Sequence, residues 1–304
     1  LLSLLLLVLA GCTRMPGAGH TTLKPKDYGE LEGYLVRHPT DVDQFRATGP
    51  FTFTVRKDLD ISYGPRASAK ADLYVSGHPD RAPLLVMAHG HDATKDAHSM
   101  QAMHLASWGV NALVVQLAKT GPWPENGRKL AAIIRAIAAS PQQFDARVDT
   151  RRIILAGHSF GGVAVSVALS EGIPVAGAVL LDPATMDRGM PGVLAKITQP
   201  VMVLGADRSV SQTRNRDTFY RNIRRGVYEI SMKEASHEDG QYPSQDSLDG
   251  HGGDSYTTEE GQITFVSALT AAALSLSSTG GFDQAWASFE VGLNNGRFVD
   301  ARRK

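Results

Sequence analysis

Two hydrophobic rhythms alternate along the chain. Over 51–56 (FTFTVR) and 71–76 (ADLYVS) apolar and polar residues take turns, the period of a strand with one wet face. Further on come unbroken apolar runs: APLLVMAHG from Ala82, VNALVVQLA from Val110, RRIILAG from Arg151, VAGAVLLD from Val175 and PVMVLGA from Pro200. Short uniform runs of this kind suit parallel strands covered on both faces. Another strand is expected over 227–232. Between the runs, apolar positions fall at helical spacing over 98–108, 127–139, 159–170, 212–223 and 259–276. Thr257 and Glu260 frame the last helix as a capping box. This alternation predicts an α/β fold, a doubly wound and mostly parallel sheet flanked by helices, with ligands beyond the carboxyl ends of the strands. No internal repeat or linker divides the chain over 49–304, which is read as one domain.

The amino end departs from this pattern. Residues 1–10 are almost wholly apolar, too few to span a bilayer but suited to the core of a signal peptide. Cys12 is the chain's single cysteine, so an internal disulfide is excluded. Leu9-Ala10-Gly11-Cys12 resembles the bacterial lipobox, which implies diacylation of Cys12, and two acyl chains suffice for stable anchoring. An ordinary cleaved signal peptide is the alternative. The usual methionine and basic residues are missing, so the sequence is expected to start inside the signal. Thr13, rather than aspartate, resembles outer-membrane sorting. The expectation is a bacterial envelope protein, lipid-anchored through Cys12 at the outer membrane and facing the periplasm. Residues 13–48, mixed and with several Gly, Pro and Thr, read as a tether.

Charge changes the picture little. Lys plus Arg and Asp plus Glu are equal, 31 each in 304 residues, so nothing draws the chain to nucleic acid. The arginine-rich stretch from Arg208 to Arg225 has the spacing of a solvated helix face.

The candidate chemistry centres on Gly157-His158-Ser159-Phe160-Gly161. One of the buried strands ends here and a helical pattern begins at once. The pattern G-x-S-x-G is weak alone, but between strand and helix it fits a nucleophile elbow, in which Gly157 and Gly161 make room for a strained Ser159. A serine hydroxyl needs a base, and the base needs a carboxylate. His237, shortly after the strand over 227–232, is the preferred base over His89, His91, His158 and His251. Asp182 and Asp207 each end a strand near the same edge and both stay open as the acid. The amide of Phe160, at a helix start, is one candidate oxyanion donor.

These features resemble the serine α/β-hydrolase family over about 51–276. In pattern they resemble its lidless branch, with cutinase-like polyester hydrolases, chlorophyllases and platelet-activating-factor acetylhydrolases. GPFTFTV and GHSFGG carry that likeness. The resemblance implies His89-Gly90 as the family's His-Gly pair, with the amide of His91 as second oxyanion donor. Gly205-Ala206-Asp207-Arg208-Ser209 resembles the later acid motif but has serine where its second aspartate stands, whereas Leu181-Asp182-Pro183 resembles the acid segment of chlorophyllases, and the resemblance favours Asp182 as the acid. Only 183–199 separates Asp182 from the next strand, too little for a large cap domain. Trp123 and Tyr242, with Tyr256, are candidates for the substrate wall. His89, Gly90, His91, Asp92 and His98 could alternatively be metal ligands, but the spacing departs from metallo-hydrolase patterns, so no metal or other cofactor is expected. The implied activity is carboxylic ester hydrolysis, with an ester as the substrate partner. A lipase or phospholipid acyl-hydrolase is the alternative within the class, and a non-catalytic binding lipoprotein is the alternative outside it.

Overall fold

A computed structural model describes residues 42–208, 213–243, 257–277 and 281–304. The expected signal and lipid site at Cys12, most of the tether, Tyr256 and His251 lie outside these residues. The strands are β1 (Phe53–Gly64), β2 (Ala67–Ser76), β3 (Ala82–Ala88), β4 (Asn111–Val115), β5 (Val148–His158), β6 (Gly177–Leu181), β7 (Val201–Ala206), β8 (Val227–Met232) and β9 (Phe298–Arg303). They form one sheet in the order β1-β2-β4-β3-β5-β6-β7-β8-β9. From β4 to β8 neighbours run parallel; β1, β2 and β9 add antiparallel edges. The helices are α1 (Ser99–Ser107), α2 (Trp123–Ala139), α3 (Gly161–Ser170), α4 (Met190–Leu194), α5 (Thr213–Asn222), α6 (Glu259–Ser277) and α7 (Gly281–Asn294).

The unbroken apolar runs are explained by two cores, one on each face of the sheet. Leu85, Met87, Ile154 and Ala156 pack with α1, α6 and α7. Leu84, Val86, Ile153 and Leu155, their neighbours in sequence, point the other way into α2, α3 and α5. Helix α6 is buried from Gly261 to Ser277, hence its apolar character all round. No helix among the described residues is long and apolar enough to cross a membrane. Between β6 and β7 the chain forms only α4, five residues long, and no cap domain is inserted there.

Two expectations need correction. The tether was read to 48, yet a 3-10 turn over Val42–Arg46 already packs on the domain. Val42 and Phe45 are fully buried, and Phe45 meets Trp108 edge to face at 4.9 Å. Arg46 pairs with Glu260 at 2.6 Å. The cap of α6 is also one residue later than expected. The Thr258 hydroxyl accepts from the Gly261 amide at 2.9 Å, and Glu260 turns outward to Arg46 and Arg297.

Burial on the α1 side gives a pH signature. His104 sits between the Ala47 carbonyl (3.2 Å) and the Thr270 hydroxyl (3.0 Å), and burial pushes its pKa down to about 4. Burial does the same to His98, also to about 4. Unfolding releases both to an ordinary value near 6.5, so the unfolded chain binds more protons between those limits and stability rises with pH there. The melting temperature should therefore fall as pH drops from about 6.5 towards 4. His104→Gln should flatten that slope; an unchanged slope would show that this imidazole is not held neutral.

Candidate active site

Only Ser159 and Phe160 lie between the end of β5 and the start of α3. So abrupt a turn forces Ser159 to a φ of 53°, the left-handed region that costs a non-glycine residue of order 1–3 kcal/mol. Three backbone bonds hold it. Its amide donates to the Leu181 carbonyl (3.0 Å), and its carbonyl accepts from the amides of Gly162 (2.9 Å) and Ala184 (3.1 Å). The flanking glycines are where backbones touch. A Cβ at Gly157 would lie 2.5 Å from the Gly161 carbonyl oxygen, and one at Gly161 would lie 2.5 Å from that of Ala88.

His237 begins a 3-10 turn, His237–Gly240, just beyond β8. Ser236 and Asp239 form a capping box around it: the Ser236 amide donates to Asp239 Oδ2 at 2.8 Å. The other oxygen, Asp239 Oδ1, accepts from the Thr258 amide at 2.8 Å, so the turn is tied to the start of α6. That S-x-x-D pattern was readable as a cap in the sequence but was not singled out.

The three expected side chains meet. His237 Nδ1 lies 2.6 Å from Asp182 Oδ2, and His237 Nε2 lies 2.9 Å from Ser159 Oγ. Because the buried carboxylate accepts, Nδ1 carries the proton and the Nε2 lone pair faces the hydroxyl. Asp182 is fully buried, with Oδ1 accepting from the Ala206 amide at 3.1 Å. The alternative acid, Asp207, has no hydrogen bond or ion pair to His237 among the described residues. Its Oδ1 is buried without a hydrogen-bond partner among the described residues, and its amide donates to the Met232 carbonyl at 3.2 Å.

The electrostatics follow from this geometry. Burial alone would lower the pKa of His237, but the Asp182 hydrogen bond and charge, aided by Glu238, overcome burial and a smaller opposition from Arg216, so the pKa lies above its ordinary value. Burial would raise that of Asp182, yet its contacts with His237 and Arg216 and the Ala206 amide hold it below the ordinary carboxylate range.

Beside the serine, Gly90 approaches so closely that an added Cβ would lie 3.0 Å from Ser159 Cβ. The preceding His89 has a defined tautomer. Its Nε2 accepts from the Leu117 amide (3.1 Å) and the Gln116 side-chain amide (2.9 Å), leaving Nδ1–H to donate to the Gly90 carbonyl at 2.9 Å. Pinning that carbonyl fixes the Gly90–His91 peptide plane, and with it the direction of the His91 N–H. Neither the His91 nor the Phe160 amide has a hydrogen-bond partner among the described residues. Trp123 is only 5% exposed and stacks on Phe160 at 5.8 Å. It backs Phe160 instead of presenting an open face of its own, as a wall residue would. Tyr242 is held by its main chain, its amide donating to Ala97 and its carbonyl accepting from Met100, both at 2.9 Å.

A profile of the alpha/beta hydrolase family matches residues 85–289. The chain belongs to the alpha/beta hydrolase family. No curated protein matches its sequence. Within this alpha/beta hydrolase, a further histidine bears on the site. His158, fully interior, donates Nε2–H to the His237 carbonyl at 2.9 Å, and the two rings lie 4.7 Å apart. Burial, reinforced by the neighbouring His237 and His98 imidazoles, which would repel a second positive charge, keeps it neutral with a pKa well below the ordinary value. The metal alternative does not assemble: among the described residues no three His, Cys, Asp or Glu are grouped to hold an ion. Both ring nitrogens of His89 are engaged as described.

Proposed function

We propose that this alpha/beta hydrolase is a serine carboxylic ester hydrolase that works through an acyl-enzyme. The observation that carries the reading is the continuous chain from Ser159 Oγ through His237 to Asp182, with links of 2.9 and 2.6 Å. His237 Nε2 takes the hydroxyl proton as Oγ attacks the ester carbonyl, and the imidazolium so formed is stabilised by Asp182. The carbonyl oxygen gains negative charge and is received by the unengaged amides of Phe160 and His91, each contributing roughly 3 kcal/mol to the transition state. His237 then gives the proton to the departing alkoxide. Water, deprotonated by the same nitrogen, attacks the acyl-serine and releases the acid. No cofactor enters this sequence. From the lipobox resemblance of Leu9 to Cys12 we propose further that acylated Cys12 holds the protein at the bacterial outer membrane, and Cys12→Ala should abolish its labelling by a tagged fatty acid in the host.

The test is covalent. A fluorophosphonate should phosphonylate the intact protein, with Ser159 Oγ displacing fluoride, and peptide mass spectrometry should place the adduct on Ser159. Hydrolysis of a short p-nitrophenyl ester should fall in proportion to labelling. Ester hydrolysis that persists in fully exposed, unlabelled protein would overturn the proposal.

A further inference from the structure

The arginine-rich stretch was expected to be a solvated face, and for one member it is not. Arg216, on α5, is buried, with its side chain only 6% exposed. Its Nε lies 3.3 Å from Asp182 Oδ1, in ion-pair contact though not aimed for a hydrogen bond. Its Nη1 donates to the Ser231 hydroxyl on β8 at 2.6 Å. The sheet itself is shaped around this group. A Cβ at Gly205, inside β7, would lie 1.7 Å from Nη1 and 2.4 Å from Cζ of Arg216. Glycine weakens a strand interior, and its presence there marks a close approach. Burying a cation is costly unless it is paired, so a buried arginine with a glycine-lined berth against one oxygen of this carboxylate needs a reason beyond packing.

We infer that Arg216 is a positioning residue for the Ser159–His237–Asp182 chain: it occupies Oδ1 of Asp182 so that Oδ2 alone faces His237, and it sets the charge seen by the imidazole. This rests on the serine-hydrolase reading above. The carboxylate is divided between two tasks, with Oδ1 facing Arg216 and the Ala206 amide and Oδ2 facing Nδ1 of His237. A rotation of the carboxylate would break both sets of contacts at once, and Arg216 opposes it. Arginine suits the task because one planar group reaches Asp182 and Ser231 together, which a single ammonium does not.

Among the described residues, charges of both signs surround His237. Asp182 after β6 and Glu238 on its own turn favour the imidazolium, and Arg216 from α5 opposes it. His158 at the end of β5 faces it as a neutral ring. Asp239 is occupied by Ser236 and Thr258. Behind Arg216, Glu229 on β8 is paired with Arg302 at 3.0 Å. Removing the arginine charge therefore raises the pKa of His237. Since the reaction needs the neutral ring, the acid limb of kcat/KM moves to higher pH.

The experiment is the pH profile of p-nitrophenyl ester hydrolysis by the full chain. In Arg216→Met the acid limb should rise by about one pH unit, and kcat should fall roughly 10- to 100-fold. Arg216→Lys keeps the charge, so its limb should stay near the wild-type position while kcat falls less. A role confined to packing predicts lower rates in both variants with neither limb moved, and that result overturns the inference. A limb shifted equally in both variants also overturns it. Should Arg216→Met fail to fold, Gly205→Ala carries the test: its Cβ displaces the guanidinium, so the limb should move the same way by a smaller amount, and an unmoved limb refutes the assignment. Fluorophosphonate labelling separates the two proposals. Labelled Ser159 with an unmoved limb defeats the Arg216 role alone, whereas unlabelled Ser159 with continuing turnover defeats the hydrolase reading beneath it.

Discussion

Ser159→Ala is expected to lower kcat for a short p-nitrophenyl ester by five to six orders of magnitude, Asp182→Asn by about four, and Asp207→Asn by less than a few-fold. The ordering follows from which groups touch. In the proposed mechanism Ser159 supplies the bond-forming oxygen, so its loss leaves only the oxyanion donors and binding. Asp182 forms no bond to substrate, but it fixes the proton on Nδ1 of His237 from 2.6 Å. Asparagine at that position presents an amide that donates to Nδ1, which favours the wrong tautomer and turns an N–H towards the serine. Asparagine also tolerates the local backbone, for Asp182 has a φ of 37°. The loss should therefore appear in a folded protein, as circular dichroism can verify. Asp207 ends the neighbouring strand without touching His237, and a large loss in Asp207→Asn beside near-normal Asp182→Asn would reverse the assignment of the acid.

The second large effect is structural. Gly161→Ala should destabilise the protein by about 2–3 kcal/mol and reduce turnover with it. The added Cβ would lie 2.5 Å from the Ala88 carbonyl oxygen and 2.7 Å from that of His89. Both obstacles are main chain, so no rotamer change relieves them. Helix α3 must lift from β3, and the lift displaces Ser159 relative to the Gly90–His91 peptide. Gly192, inside α4, is the matched control, because a Cβ there meets nothing within 4 Å. Gly192→Ala should be neutral or stabilise by up to about 1 kcal/mol, since alanine loses less backbone entropy. Thermal melts and ester kinetics on the two variants decide it, and equal melting temperatures would contradict the steric account.

Much of this was legible in the residues because the strongest constraints are local. The interior strands are apolar on both faces and end where the chemistry lies, so β3, β5, β6, β7 and β8 could be placed from their runs. The elbow was readable because close backbone contact demands glycine on either side of Ser159. The choice between Asp182 and Asp207 was not settled by sequence, as two adjacent parallel strands put two carboxylates at one edge, and only three-dimensional geometry shows which one the imidazole meets. Arg216 was misread because arginines at helical spacing usually face water, and the partner that buries this one is distant in the chain. The turn at Val42–Arg46 was missed because a few apolar residues among Gly, Pro and Thr carry no period, although Val42 and Phe45 are fully buried. Helix α7 and β9 went unread for other reasons. Phe298 is the one buried position in β9, so no alternation announces an edge strand, and α7 was not singled out although Ala285, Trp286, Phe289 and Leu293 fall at helical spacing.

The strand order also bears on how the molecule is made. Synthesis proceeds from the amino end, and β1 to β6 can associate as soon as they emerge. Ser159 and Asp182 are then already in place, while His237 and the α6 segment that clamps its turn are still to come. Until β7 docks, β6 presents an open parallel edge of Gly177–Leu181, apolar and buried in the finished protein, the kind of unpaired edge that recruits other chains. A nascent or truncated chain that stops short of β7 thus lacks the base of the proposed mechanism and is prone to aggregate, and chaperone dependence should concentrate in that interval of translation.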